Sequence, residues 1–267
     1  MKKNILILAS LFCVLSLRAQ DEGPAFGDTE RLRFRVSYRA KMFPDSEVAT
    51  VNLDATRRKS GNFEIIGTGK TSSFVKWFFQ LNDKYTTILS GTTLRPVEAS
   101  CELKEGKYHF KSKQTFDWGN MEVNSTWRNY KFPNDNYKTM PLTSRSFDAL
   151  GLFYNLRNTP VEDFVQGAYR PLDLVLEDSV RRILFKFIGP ERIAIKNMGI
   201  FNSLKFSCQL ATSDGERYED GSEFYIWISD DRNRIPLKID SPIKVGSISA
   251  RLVEFSGLRF PLESKVE

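Results

Sequence analysis

Apolar and polar residues alternate with a period of two along most of the chain. In "FRVSYRA" (34–40), Phe34, Val36 and Tyr38 share one face and Arg35, Ser37 and Arg39 the other. In "VEASCELK" (97–104), Val97, Ala99, Cys101 and Leu103 oppose Glu98, Ser100, Glu102 and Lys104. "SLKFSCQL" (203–210), "EFYIWIS" (223–229) and "SISARLVEF" (247–255) repeat the pattern. Strict alternation is the signature of strands with one buried face. Turn signals separate the runs: "KSGN" (59–62), "KEGK" (104–107), "DWGN" (117–120), "SDGE" (213–216) and "EDGS" (219–222). Tight turns join antiparallel neighbours, whereas parallel pairs need long crossovers. The expected fold is therefore all-β, an antiparallel curved sheet or partly open barrel.

One segment departs from this period. "SRSFDALGLFYNLRN" (144–158) spaces Phe147, Leu150 and Tyr154 near 3.6, which predicts an amphipathic helix over about 144–157 with Ser144 or Ser146 as N-cap. Such a helix could bridge two halves of one sheet or cap the end of a barrel. Residues 20–31 are polar and turn-rich and read as a flexible leader. Residues 32–262 read as a single antiparallel domain and 263–267 as a tail.

Residues 64–72, "EIIGTGKTS", imitate a phosphate-binding loop. That loop requires G-x-x-x-x-G-K-[ST] between a strand and a helix. Here the position five before Gly69 is Glu64, whose charge repels phosphate, and the surrounding residues alternate like a strand. No nucleotide is expected to bind. Gly67 and Gly69 then share a strand face and leave a trough beside their neighbours. Phe74, Trp77, Phe78 and Phe79 follow closely. They either fold back over the trough as packing or, with the two glycines, form the wall of a ligand cleft.

Three stretches together resemble a known family. "GTGKTSSFVKWFFQLNDKYTT", "SFDALGLFYNLRN" and "YIWISDDRNRIPLKIDSPIKVGSISARL" are similar to the bacterial envelope family catalogued as domain of unknown function 3108 (DUF3108), over about Phe34 to Leu258. The resemblance implies an exported, mostly β protein and assigns no catalytic residues. The implied architecture is similar to the open-barrel lipoprotein carriers of the Gram-negative periplasm, an analogy of fold alone.

The N-terminus fits export. Lys2 and Lys3 precede an apolar run from Ile5 to Leu17, and small Ala19 offers a cleavage point before Gln20. The run is too short to span a bilayer, and no later stretch approaches 18 apolar residues. Losing residues 1–19 lowers the formal net charge from +6 to +3. That excess is no nucleic-acid footprint. A soluble, periplasmic or otherwise exported protein is expected. Cys101 and Cys208 remain. Both fall on apolar faces, so two buried free thiols are preferred over a disulfide.

Candidate chemistry is sparse. His109 is the only histidine and shares its face with Lys111 and Lys113, which fits a solvated residue better than a base or metal ligand. The late acids Asp214, Glu216, Glu219, Asp220, Glu223, Asp230 and Asp231 suit hairpin turns better than a carboxylate-dependent hydrolase. The basic residues Arg57, Arg58, Lys59, Lys70 and Lys76 face either anionic lipid headgroups or only solvent. The expectation is an envelope protein without catalytic residues, cofactor or metal, holding an apolar or lipid-like ligand in its curved sheet. The alternative is an interaction module for another envelope protein or a glycan.

Overall fold

The computed structural model describes residues 23–40, 43–73, 75–77, 80–131, 134–210, 223–243 and 245–267. The first half of the chain forms β1 (Thr29–Ala40), β2 (Phe43–Arg57), β3 (Phe63–Thr71), β4 (Asn82–Leu89), β5 (Pro96–Glu105), β6 (Tyr108–Asp117), β7 (Glu122–Asn129) and β8 (Asn136–Pro141). A two-residue strand β9 (Ser146–Phe147) leads into the helix α1 (Ala149–Arg157). A 3₁₀ turn (Val161–Asp163) precedes β10 (Tyr169–Val175), β11 (Val180–Ile195), β12 (Gly199–Leu210), β13 (Phe224–Ser229), β14 (Pro236–Pro242) and β15 (Ser247–Ser256).

These strands form one 15-stranded sheet in the order β8-β7-β6-β5-β4-β3-β2-β1-β15-β14-β13-β12-β11-β10-β9. Two meanders spread from the centre, β1 to β8 one way and β15 back to β10 the other. Their junction is the β1–β15 ladder, in which Phe34 faces Leu252. Among the described residues, the β9–β10 pair alone is parallel, because the α1 crossover separates those strands. The sheet curls until its flanks meet without a backbone ladder. Gln114 of β6 donates through its amide to the carbonyl of Leu176, beyond β10. Ala99, Phe116, Val123 and Met140 pack there with Val175.

The tight turns form for the reasons their residues suggest. Gly61 and Gly106 supply φ values of 88° and 57° at the β2–β3 and β5–β6 turns. "DWGN" works differently. The Asp117 carboxylate accepts the amides of Gly119 and Asn120, and the positive φ falls on Met121. The turns at 213–216 and 219–222 lie outside the described residues, as does the expected export segment at 1–19.

Two boundaries differ from expectation. The helix starts later, and neither Ser144 nor Ser146 caps it. Ser146 and Phe147 pair with Asp173 and Leu174 in the sheet, so the N-cap passes to Asp148, whose carboxylate accepts from the amides of Leu150 and Gly151. The leader is also packed over its described part. Phe26 is fully buried, its ring edge-on to Phe63 and Tyr154 at 4.9 and 4.8 Å. Burying such a ring gains roughly 2–3 kcal/mol, and the hydrogen bonds of Ala25 to Asn158 and Arg157 hold the segment alongside it. The tail at 263–267 is likewise tied down. Ser264 and Glu267 accept the amides of Asn202 and Ile200.

Candidate ligand cleft

The helix lies inside the curl and divides the core. Leu150, Phe153 and Tyr154 pack with Phe26, Phe63, Ile65 and Leu89 on the N-terminal half. Leu152 and Leu156 pack with Leu172, Ile183, Phe185, Leu204, Phe206 and Ile228 on the C-terminal half. The helix therefore bridges the two halves of the sheet.

Both ends of the helix are anchored by buried polar groups. At the N-terminus, one oxygen of Asp148 receives the Thr87 hydroxyl and two backbone amides, while the other is buried without a partner. Burial pushes the Asp148 carboxyl up to about 6, against the lowering effect of those hydrogen bonds. Gly151 is required beside it, since a Cβ there would lie 2.5 Å from the partnerless oxygen. At the C-terminus, Arg157 and Glu30 are both 0 % exposed. Arg157 donates to the two Glu30 oxygens at 2.6 and 2.8 Å and to the carbonyls of Ala25 and Asn233. Burial pulls the guanidinium's pKa down, but Glu30 more than restores it, so Arg157 stays charged.

The "SDDRNRIP" turn completes this anchor. Asp231 accepts from the Ser229 hydroxyl and from the amides of Asn233, Arg234 and Ser264. The Asn233 amide reaches the carbonyls of Phe260 and Pro261. Arg234 donates to the last helical carbonyl, that of Arg157. Asp231 and Arg234 thus meet through the Arg234 amide, with the two side chains serving different partners. Asp230 is exposed; Asp214, Glu216, Glu219 and Asp220 lie outside the described residues.

Beyond the helix C-terminus the chain turns at Val161–Asp163 and opens a cleft of about 470 Å³ against β10, β11 and β12. Leu156, Leu172, Phe185, Phe187 and Phe206 form its floor. Phe164 closes one side, with ring centroids 4.8 Å from Phe206 and 5.8 Å from Phe187. The lip is polar. Asp163 and Arg170 pair there at 3.9 Å, and Lys186 lies 5.1 Å over the Tyr169 ring. Burial lowers the pKa of Arg234, which lies 5.9 Å over the Phe164 ring. An aromatic floor with a charged lip can take an apolar chain and leave a polar end in water. A wider polar groove crosses the other face at Ser37, Tyr225, Asp240 and Ser249, and several of its polar groups are paired with one another. Arg251 bonds Glu47 and Ser37, and Lys238 and Ser249 both bond Asp240.

The structure places the sequence candidates elsewhere. Gly67 and Gly69 lie in the extended strand β3, between antiparallel β2 and β4, which is no phosphate loop. Their trough is filled from within. A Cβ on Gly67 would sit 3.2 Å from Leu150 and 3.3 Å from Leu53, and one on Gly69 3.3 Å from Leu81. The aromatic turn is not what covers them at Trp77, which is 75 % exposed. Phe74, Phe78 and Phe79 lie outside the described residues. Neither glycine nor Trp77 borders the cleft. Cys101 and Cys208 are free thiols, the first half-buried against Ser112, the second buried. Burial raises both pKa values. His109 is exposed, opposite Lys104. Of the cleft residues, Phe206 was legible as an alternating strand position, while Phe185 and Phe187 were not singled out. Nothing in their spacing says which inward side chains border the helix end.

No described helix is long and apolar enough to cross a membrane. Among solved structures, the chain is similar to a β-barrel-like protein of the DUF1849 family from Brucella abortus, with a TM-score of 0.58 at 10 % identity, covering 87 % of this chain and 98 % of that one. This likeness is one of fold. A putative lipoprotein from Parabacteroides distasonis aligns at TM-score 0.36 and 12 % identity, covering 89 % and 100 % of the two chains. LprF from Mycobacterium bovis aligns at 0.29 and 14 % identity, covering 88 % of each. No curated protein matches the sequence. The profile of one family spans residues 33–253, the two meanders and the helix between them, and the chain therefore belongs to the family described as "Protein of unknown function (DUF3108)".

Proposed function

We propose that this is an exported cell-envelope protein that holds an apolar, lipid-like chain in the cleft between α1 and β10–β12, without catalysing its turnover. The carrying observation is the aromatic floor formed by Phe185, Phe187 and Phe206 under a lip of charged residues. The volume, about 470 Å³, falls in the range of small-molecule sites. Ten methylenes buried there would gain about 8 kcal/mol before the costs of ordering and association. The absence of turnover is supported by Asp231, whose carboxylate is taken up by donors of its own turn and of the tail. The basic N-terminus and apolar run of residues 2–17 support export.

The test is displacement of a fluorescent fatty acid, alongside native mass spectrometry of protein purified from its own envelope. Phe164→Glu, on the loop, and Phe187→Glu, on the floor, should each weaken the probe at least about tenfold, since each places a charge in an apolar contact. Circular dichroism checks that both variants stay folded. A parent protein that binds no alkyl probe, or folded variants that bind it equally well, would remove the reading.

A further inference from the structure

Strands β3 to β8 alternate in direction, so the β3–β4, β5–β6 and β7–β8 connections emerge at one end of the sheet. Each brings an exposed aromatic there: Trp77 at 75 %, Tyr108 at 38 % and Tyr130 at 51 % exposure. The connections touch. The Gly106 amide donates to the Gln80 carbonyl at 2.7 Å and the Tyr130 amide to the His109 carbonyl at 2.9 Å. The rings of Tyr108 and Tyr130 meet edge to face at 5.8 Å. Two of the three rings are in contact and the third stands on the neighbouring connection, where single exposed rings would be unremarkable.

The same end carries a set of exposed lysines. Lys70, Lys76, Lys84, Lys104, Lys107 and Lys131 are all exposed. Lys131 lies 5.7 Å over the Tyr130 ring. Among the described residues, the acids at this end include the exposed Glu102, Asp135 and Asp178 and the half-buried Glu105 and Glu177, the last two acting on the Tyr108 hydroxyl. Glu102 is bonded to Lys111 at 2.9 Å, and that bond, with the fields of Lys104 and Lys84, holds its carboxyl below the ordinary value. Arg57, Arg58 and Lys59 do not belong here. They sit at the β2–β3 turn, beyond the opposite end of the nine-residue β3, roughly 26 Å away. Arg58 is there paired with Glu64.

From this juxtaposition we infer that the rim formed by Trp77, Tyr108 and Tyr130 with its surrounding lysines docks on an anionic membrane surface. Tryptophan and tyrosine prefer the headgroup layer, where a ring is half in hydrocarbon and its polar atom stays wet. Lysine stems lie along apolar surface while their ammonium groups reach anionic headgroups. A soluble polyanion would use the lysines and leave the aromatics idle, so the aromatics separate the two cases. The inference rests on other residues than the cleft: loss of alkyl-chain binding with docking intact would remove only the cargo reading.

The test is co-sedimentation of the full chain with vesicles of phosphatidylcholine alone or mixed with phosphatidylglycerol. Binding is expected to the mixed vesicles and to fall steeply with salt. Each lysine neutralised should lower the partition coefficient about fivefold, so Lys76→Gln, Lys104→Gln and Lys131→Gln together should lower it roughly a hundredfold. Trp77→Ala with Tyr130→Ala should lower it at least about tenfold, with circular dichroism checking that the variant stays folded. Equal binding to both vesicle types would overturn the inference. So would binding that survives either set of substitutions, since it would then come from another part of the chain, such as the apolar run at 5–17. Binding to soluble heparin that the aromatic variant retains, with no vesicle binding, would assign the patch to a polyanion.

Discussion

Replacing Arg157 by methionine isolates the anchor at the helix C-terminus. Both members of the Arg157–Glu30 pair are fully buried, so the substitution strands the Glu30 carboxylate where water cannot reach it. Breaking a buried pair from one side costs about 3–5 kcal/mol. The carbonyls of Ala25 and Asn233 lose donors as well, which adds to the loss. At roughly 2–4 °C per kcal/mol for a chain of this size, Arg157→Met should lower the melting temperature by about 6–20 °C. Glu30→Leu should be similarly harmful, since it leaves the guanidinium with neutral carbonyls alone. The double variant buries no charge. It should be less destabilised than the sum of the singles by at least about 2 kcal/mol. Urea melts of the four proteins, followed by circular dichroism, measure this cycle. If Arg157→Met melts within about 1 kcal/mol of the parent, or if the two effects add, the pair is not holding the helix as described.

Asp148 gives a pH signature. Its carboxyl is raised by burial from 3.8 to about 6, so the folded protein binds this proton more tightly than the unfolded chain. Below pH 4 both states are protonated and the group costs nothing. Between about 4 and 6 the unfolded chain ionises first and stability falls as pH rises, by an amount on the order of 3 kcal/mol. Asp148→Asn should remove that slope, seen as a midpoint difference between variant and parent that grows from pH 4 to pH 6 in urea titrations; a constant difference would contradict it. At β3, Gly67→Val should lower stability by about 1–3 kcal/mol, because its side chain meets Leu150 and Leu53, whereas Gly69→Ala, touching Leu81 alone, should be neutral or slightly stabilising. Thermal melts decide, and a stabilised Gly67→Val would mean that the helix does not fill the trough.

The strands, the antiparallel pairing and the single mid-chain helix could be read from the chain, because period-two alternation and hairpin turns are local properties. The helix start was misplaced for a tertiary reason. Ser146 has the chemistry of a cap, but Phe147 is drawn into the sheet beside Leu174, and this moves the cap to Asp148. The leader looked flexible because its composition is polar; a single ring, Phe26, decides otherwise by finding Phe63 and Tyr154.

Alternation tells which side chains point inward at each strand and says nothing of what they meet. Gly67 was recognisable as a gap on an inner face, yet only the curled sheet brings Leu150 into it from 83 positions along the chain. The cleft has the same origin. Phe164, Phe187 and Phe206 come from a loop and two strands, and they meet around the cleft because α1 ends there. Local periodicity therefore determined the elements and their buried faces. The placement of the helix within the curl, set by contacts between residues far apart in sequence, decided which of those faces are filled and which remain open.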